Sequence, residues 1–237
     1  AEDIAASGAK NLESLLRARA GIQVSDTNSG PSFSLRGFSG AQASHNTLIL
    51  LDGRRLNKQD LSSPQLSSIL ISQVERVEIL SGSAGVLYGD QAVGGVINII
   101  TKSSAEDGAN ISVSVGSFDS LAGSVDVTKK INDQWSVFFS ASQDNSDNYR
   151  EHNARETGVL LGRVNFAQDE TEFFLEASYY DNNREHAGNL TEDQYEQDPT
   201  QAKSPNETDY GHDITTALRA GYKRKLSNTW MLATDII

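Results

Sequence analysis

Residues Gly94–Lys102, with the sequence GGVINIITK, decide the fold of the first part of the chain. Isoleucine and valine dominate this stretch, which favours a β-strand entered through two glycines. The preceding stretch Val74–Leu80, VERVEIL, alternates apolar with charged side chains and predicts a second strand. Thr47–Leu51 is a short apolar run that ends in Asp52-Gly53, a pair typical of a tight hairpin turn. Together these segments predict a sheet.

Helix and strand signals alternate ahead of that sheet. Leu12, Leu15 and Leu16 have helical spacing, and Gly21 is placed to end the helix. Further strands are predicted at Gly21–Ser25 and Ser32–Arg36. This mixture predicts an α+β domain over residues 1–105.

The second half of the chain has a different texture, in which strand and turn signals follow one another. We predict seven strands, at residues 110–116, 120–130, 134–144, 156–167, 171–182, 212–225 and 228–237. From the second connection onward, short turns alternate with longer polar loops. Bacterial outer-membrane barrels have short periplasmic turns and longer extracellular loops in this same alternation.

The strands also share one phase of alternation. Stepping by two from each short turn gives an apolar face that begins with Trp135, Phe166, Phe173, Tyr222 and Trp230. The opposite face is mainly polar, and Phe138 and Phe174 break it. An apolar face with an aromatic rim is typical of strands that face lipid outside and water inside. A soluble antiparallel sheet with one buried face alternates as well, so the pattern leaves both readings open.

Composition narrows the possible functions. The formal net charge is −12, with 32 acidic and 20 basic residues, which argues against a nucleic-acid partner. The chain contains no cysteine, which excludes thiol catalysis and disulfides. No apolar run approaches the roughly 18 residues of a membrane-spanning helix. No nucleophile–base–orienter set is apparent, so neither catalysis nor a cofactor is predicted.

Six segments, in order, resemble the plug of TonB-dependent outer-membrane transporters. They are Asn11–Arg17, Gly21–Val24, Ser34–Phe38, Leu48–Leu56, Val74–Leu80, and Leu87–Gly89 with Gly94–Lys102. The resemblance implies an α+β plug domain at residues 1–105, followed at residues 106–237 by the first seven or so strands of an antiparallel transmembrane β-barrel. The family barrel has about 22 strands, so we expect the chain to be truncated. One departure is Ser81-Gly82-Ser83, where the family usually has Arg-Gly-Pro.

The resemblance implies TonB-dependent active uptake of a scarce nutrient complex across the bacterial outer membrane, most often an iron siderophore. Cobalamin, haem or a sugar are the other ligands considered. The expected partners are TonB, a small-molecule metal chelate and outer-membrane lipid, with no nucleic acid, and a monomer is expected. A sensing receptor with little transport, and a soluble β-rich enzyme, are the alternative functions.

Two sets of plug residues are candidates for function. Two polar loops, Ser39–Asn46 and Asn57–Ser63, flank the Thr47–Leu51 segment and its turn. In the family such loops point to the extracellular face, so ligand contacts are expected from Gln42, His45, Lys58, Gln59 and Asp60. Ion pairs that latch the plug to the barrel are expected from Arg36, Glu75, Arg76 and Glu78. The alternative for both sets is that they are solvated surface side chains.

The long loop at residues 183–211 is rich in carboxylates. Clustered carboxylates suit calcium, and Glu192, Asp193, Glu196 and Asp198 are the candidate ligands. Some members of the resembled family, such as the cobalamin transporter, order extracellular loops with calcium. The alternative is an acidic solvated loop.

Overall fold

The computed structural model describes residues 4, 6–9, 11–19, 21–27, 30–38, 42–57, 64, 66–102, 107–203, 205 and 208–236. The chain folds into two compact units, Ala1–Ser103 and Ser104–Ile237. Among the described residues, no helix has the length and apolar character needed to cross a membrane.

The first unit mixes short helices and strands, as predicted. Its helices are α1 (Leu12–Arg17) and the single turns α2 (Ala43–Asn46) and α3 (Gly85–Tyr88). Its strands are β1 (Ile22–Thr27), β2 (Gly30–Leu35), β3 (Thr47–Leu51), β4 (Arg54–Arg55), β5 (Val74–Ser81) and β6 (Gly95–Thr101). Short 3₁₀ turns lie at Leu66–Ser68 and Ile71–Gln73.

Helix α1 begins where its sequence satisfies the first free backbone groups. The Asn11 side chain accepts a hydrogen bond from Ser14 N at 2.8 Å, and Ser14 Oγ accepts one from Asn11 N at 3.2 Å. This capping box fixes the start of the helix. The predicted face of Leu12, Leu15 and Leu16 is buried, so the helix is held by packing on the sheet.

Four strands form the central sheet of this unit, in the order β4-β3-β6-β5. Strands β3 and β6 are parallel, and the other pairs are antiparallel. Ile49, Ile97 and Ile99 join one buried cluster with α1, whereas Leu48 and Val96 join a second. Because both faces of β3 and β6 are covered, their sequences are mostly apolar, and Asn98 is the polar residue inside β6. Strands β1 and β2 form a separate antiparallel pair.

The second unit is one antiparallel sheet of seven strands in chain order. They are β7 (Gly108–Val115), β8 (Leu121–Lys130), β9 (Trp135–Ser146), β10 (Arg155–Gln168), β11 (Thr171–Glu185), β12 (Tyr210–Lys225) and β13 (Met231–Ile236). Helix α4 (Glu192–Gln197) lies in the long loop between β11 and β12. The predicted sequence of seven antiparallel strands after an α+β domain is therefore confirmed.

The two faces of this sheet have the polarity of a membrane protein. The apolar face is the exposed one: Phe139 is 49 % exposed, Leu175 43 % and Leu218 62 %. The other face is buried and carries polar groups, with Ser140 at 0 % and Arg219 at 4 %. A soluble sheet buries its apolar face, so the soluble alternative is wrong.

Phe174, on the buried face, lies between two arginines of its own sheet. Its ring centroid is 4.0 Å from the guanidinium carbon of Arg163 and 4.9 Å from that of Arg219. Arg219 also pairs with Asp235 at 2.6 Å. The ring covers Gly221 on the neighbouring strand, where a Cβ would come within 2.0 Å of Phe174 Cε1. This aromatic residue therefore belongs to the polar face because cation–π contacts hold it there.

The exposed apolar face generates a direct prediction. Leu218→Arg places a charge where the account places lipid, and we expect it to lower barrel stability by about 2–4 kcal/mol. The measurement is urea unfolding in lipid vesicles, read by heat-modifiable gel mobility. Asn228→Arg, at an exposed turn position, is the matched control and should leave stability nearly unchanged. Equal stability of the two variants would contradict a lipid-facing surface.

Candidate functional site

Gln42 and His45 lie on α2, the helical turn that leads directly into β3. Both residues are exposed. The carbonyl of Gln42 accepts a hydrogen bond from Asn46 Nδ2 at 2.9 Å, which closes the turn. The other three candidate ligand contacts, Lys58, Gln59 and Asp60, lie outside the described residues. Two of the five candidate residues are therefore described, and they present an amide and an imidazole just before β3.

Asn57, at the start of the second candidate ligand loop, is buried and has a structural role. Its Oδ1 accepts a hydrogen bond from Ile49 N at 2.7 Å, and its Nδ2 donates to the carbonyl of Thr47 at 3.0 Å. The side chain thus acts as an extra length of strand beside β3, beyond the two-residue strand β4. Sequence reasoning treated this residue as part of a polar loop, because nothing in its neighbourhood marks it as buried.

The turn between β3 and β4 has the predicted hairpin geometry. Asp52 and Gly53 both have positive φ, 52° and 83°, as the two central residues of a type I′ turn require. The carboxylate of Asp52 accepts hydrogen bonds from Thr101 N at 2.8 Å and Thr101 Oγ1 at 2.9 Å. The turn is therefore fastened to the end of β6.

Three of the four predicted latch residues come together on β5. Arg76 pairs with Glu75 Oε1 and with Glu78 Oε1, each at 2.9 Å. Asn98 Nδ2 on β6 donates to Glu78 Oε2 at 3.3 Å. The hydrogen bond that Arg76 donates to Glu78, together with the negative charges of Glu78 and Glu75, raises the pKa of Arg76. Side chains that are 41–53 % exposed form these pairs, so water screens them.

Arg36 lies apart from that group. It has a positive φ of 58°, and its Nη2 comes within 3.2 Å of the position that a Cβ on Gly82 would occupy. Among the described residues, Arg36 forms no ion pair with an acidic side chain. The structure therefore does not join Arg36 to the group of Glu75, Arg76 and Glu78, and a latch role for the four residues remains a prediction.

The acidic loop does not gather its carboxylates. Glu192 and Asp193 lie in the first turn of α4, and a capping box of Thr191 and Gln194 begins this helix. Asp198 follows the helix, and its carboxylate accepts hydrogen bonds from Thr200 N at 2.8 Å and Thr200 Oγ1 at 2.6 Å. These hydrogen bonds hold the pKa of Asp198 below its usual value. In the part of the chain that the structure describes, no three His, Asp or Glu side chains could hold one metal ion, which gives the calcium prediction no support.

Comparison with known proteins decides the family. The TonB-dependent Receptor Plug Domain family matches residues 1–96. Residues 1–96 belong to the TonB-dependent receptor plug-domain family. A vitamin B12 transporter, BtuB of Vibrio cholerae serotype O1, is 32 % identical over 195 residues, which cover 76 % of this chain and 31 % of the relative. BtuB of Photobacterium profundum is 35 % identical over 127 residues, which cover 52 % of this chain and 21 % of the relative.

Solved structures of TonB-dependent receptors share the fold. The ferric yersiniabactin uptake receptor FyuA from Yersinia pestis superposes with a TM-score of 0.76 at 19 % identity, covering 98 % of this chain and 38 % of FyuA. The present chain thus spans about a third of the length of the receptors it matches. TonB-dependent receptors are outer-membrane proteins, and the predicted location is confirmed.

Gly94 and Gly95 allow plug motifs that are separate in the sequence to meet in space. A Cβ on Gly94 would lie 2.9 Å from the carbonyl oxygen of Asn46 and 3.1 Å from that of Leu35. A Cβ on Gly95 would lie 2.5 Å from the carbonyl oxygen of Leu80. The ends of β2, β3 and β5 therefore meet at a point that only glycine allows the start of β6 to approach.

The buried Asn57 gives a prediction for plug stability. Asn57→Ala leaves Ile49 N and the Thr47 carbonyl without this partner inside the unit. We expect the free energy of plug unfolding to fall by about 2–4 kcal/mol. The measurement is hydrogen exchange of plug peptides across a urea series. Asn46→Ala removes one exposed hydrogen bond and, as the control, should change the free energy by less than about 0.5 kcal/mol; an equal effect in both variants would rule out the bridging role.

Proposed function

We propose that this chain is the plug and the first strands of a transporter that takes up a scarce nutrient complex across the outer membrane, driven by TonB. This proposal assigns residues 1–105 to the plug and residues 106–237 to barrel strands. The observation that carries it is an α+β unit of the plug family followed by a sheet whose apolar face is exposed. Such an exposed apolar face is unfavourable in water and argues against a soluble enzyme.

For the ligand, we propose a corrinoid such as vitamin B12 ahead of the iron siderophore that the sequence favoured. Vitamin B12 transporters of two Vibrio species and of Photobacterium profundum are 32–36 % identical to this chain, and one of these alignments covers 195 residues, about twice the matched plug. Ligand-contacting loops of a barrel lie between strands, so similarity that extends beyond the plug bears on the ligand. The siderophore receptors among the solved structures are 16–22 % identical, which speaks for the fold alone.

Charge at the long-loop end of the sheet supports the same choice. Residues 143–156 and 181–213 contain 13 aspartates and glutamates but only four lysines and arginines. Arg155 is already paired with Asp144 at 2.8 Å. Such a surface repels multiply anionic ferric chelates and tolerates a ligand with little net charge.

In this proposal, ligand contacts come from the exposed turn that carries Gln42 and His45. The turn continues without a break into β3, which is buried on both faces and paired with β6. A displacement of the turn is therefore passed to the centre of the plug sheet, because packed strands move as units. The exposed group of Glu75, Arg76 and Glu78 then lies on the sheet strand next to β6.

The ligand proposal is tested by uptake. In cells that depend on this receptor, we expect saturable, TonB-dependent accumulation of radiolabelled cyanocobalamin, which unlabelled ferric siderophores do not compete. Binding of cyanocobalamin without accumulation would favour a sensing receptor. Competition by a ferric siderophore, together with no binding of cyanocobalamin, would overturn the corrinoid assignment in favour of the siderophore.

A latch role for the plug charges is tested by permeability. Glu75→Ala combined with Arg76→Ala should leave expression unchanged and sensitise cells to bulky antibiotics, because the ion pairs that hold the plug would be lost. Arg36→Ala tests the remaining candidate in the same assay. Glu13→Ala, which breaks the helical Arg17–Glu13 pair at 2.9 Å, is the matched control. Antibiotic sensitivity equal to the control would rule out the latch.

A further inference from the structure

Arg150 forms an unusual set of contacts at the long-loop end of the sheet. It lies in the loop at residues 147–154, between β9 and β10. Its Nη1 donates to the carbonyl of Gly188 at 2.6 Å, and its Nη2 donates to the carbonyls of Ala187 at 3.1 Å and Gln201 at 2.8 Å. Its Nε also donates to the Gln201 carbonyl, at 3.3 Å. One side chain thus holds three backbone carbonyls of the neighbouring loop at residues 186–209.

These carbonyls belong to opposite limbs of that loop. Ala187 and Gly188 follow the end of β11, whereas Gln201 lies on the returning limb. The limbs also meet directly, since Lys203 N donates to the Ala187 carbonyl at 2.7 Å. Ala187 is 2 % exposed, and Gly188 is buried with a φ of 70°. Arg150 therefore closes the base of the long loop from the side.

Neighbouring contacts join the two loops further. Glu151 N donates to the Thr200 carbonyl at 2.7 Å, and His152 Nε2 lies 2.8 Å from the Asp209 carbonyl oxygen. Three consecutive residues of the shorter loop thus contact the longer one. Loops that share this many hydrogen bonds behave as one ordered unit and not as two mobile segments.

The Arg150 guanidinium gathers backbone carbonyl oxygens, as a bound metal cation would. A cation that gathers carbonyl oxygens orders a loop in the way that calcium does. The guanidinium is always charged, and its planar fork can reach several acceptors at fixed angles. Within the described part of the chain, all four hydrogen bonds of Arg150 go to carbonyl oxygens. Charge-assisted hydrogen bonds of this kind are among the stronger ones in proteins.

We infer that Arg150 is a positioning residue that holds residues 186–203 of the long loop in their ligand-binding conformation before the ligand arrives, without a metal ion. The loop then presents α4, with Tyr195 63 % exposed, as a fixed wall of the external ligand site. Ligand binding does not have to order this loop, so less of the binding energy is lost to ordering. The claim that the loop forms a wall of the ligand site rests on the proposed function, whereas the claim that Arg150 orders the loop does not.

The first experiment measures loop order without ligand. Hydrogen exchange is followed at residues 186–203 in the full receptor, in Arg150→Met and in Arg150→Lys. We expect exchange to be at least about tenfold faster in Arg150→Met, with a smaller increase in Arg150→Lys, which keeps the charge but lacks the fork. Arg155→Met is the matched control. Arg155 Nη2 donates to Asp144 Oδ1 on the neighbouring strand at 2.8 Å, so its removal should leave hydrogen exchange in the loop unchanged. Unchanged exchange in Arg150→Met overturns the inference.

The second experiment separates the metal and the ligand. Addition of the chelator EGTA to the unmodified receptor should leave loop exchange unchanged, and faster exchange would show that calcium orders the loop instead. Cyanocobalamin uptake by Arg150→Met should need about tenfold more ligand for half-maximal rate, with the maximal rate retained, because only the competent fraction of loops falls. A lowered maximal rate with unchanged half-saturation would overturn the positioning role. If the unmodified receptor binds no cyanocobalamin while Arg150→Met still loosens the loop, the proposed ligand is wrong and the loop inference stands.

Discussion

The strands from β9 to β13 keep apolar side chains on one face and polar side chains on the other, and the apolar face is the exposed one. Water would drive such a sheet to hide that face, because burial of apolar surface is the main favourable term in folding. Lipid removes this drive and instead demands that backbone groups be paired between strands. The register of β7 to β13, with each strand paired to its chain neighbour, meets that demand between strands. The interpretation of this sheet as a lipid-facing one depends on this inversion of polarity.

The buried face obeys a different rule, in which polar groups need partners. Ser140 contacts Asp126, and Thr157 Oγ1 donates to Asn182 Oδ1 at 2.9 Å, so neighbouring strands satisfy one another across the sheet. Val159, Leu161 and Tyr180 are buried there as well, so the face is mixed and not uniformly polar. In the plug unit, by contrast, apolar side chains are buried, and β3 and β6 are covered on both faces. Glycines at the start of β6 let three strand ends meet.

Periodicity carried most of the prediction that could be made from sequence. The seven strands lie within a few residues of their predicted positions, because each has a long period-two pattern bounded by turns. The Asp52-Gly53 turn was also predictable, since two adjacent positive φ values strongly select such a pair. The helix of Leu12, Leu15 and Leu16 followed from spacing in the same way.

Long-range partners of single polar residues could not be predicted. Nothing local marks Arg150 as the residue that binds carbonyls about 40–50 positions later, or Asn57 as a buried bridge beside β3. Phe174 looked like an exception to the polar face until the two arginines around it were located. The candidate ligand loops were predicted only through resemblance, and three of their five residues lie outside the described part of the chain.

Residues 1–237 contain no cysteine, so a cysteine introduced into this sheet can carry the only label in this part of the receptor. Leu175→Cys, on the exposed apolar face, and Ser178→Cys, on the opposite face of the same strand, would each carry a fluorescent label in the receptor reconstituted into vesicles with brominated lipid. The account predicts strong quenching by the brominated chains at position 175 and little at position 178. Equal exposure of both labels to an aqueous quencher, with no quenching by lipid, would contradict a lipid-facing sheet and with it the assignment to the outer membrane.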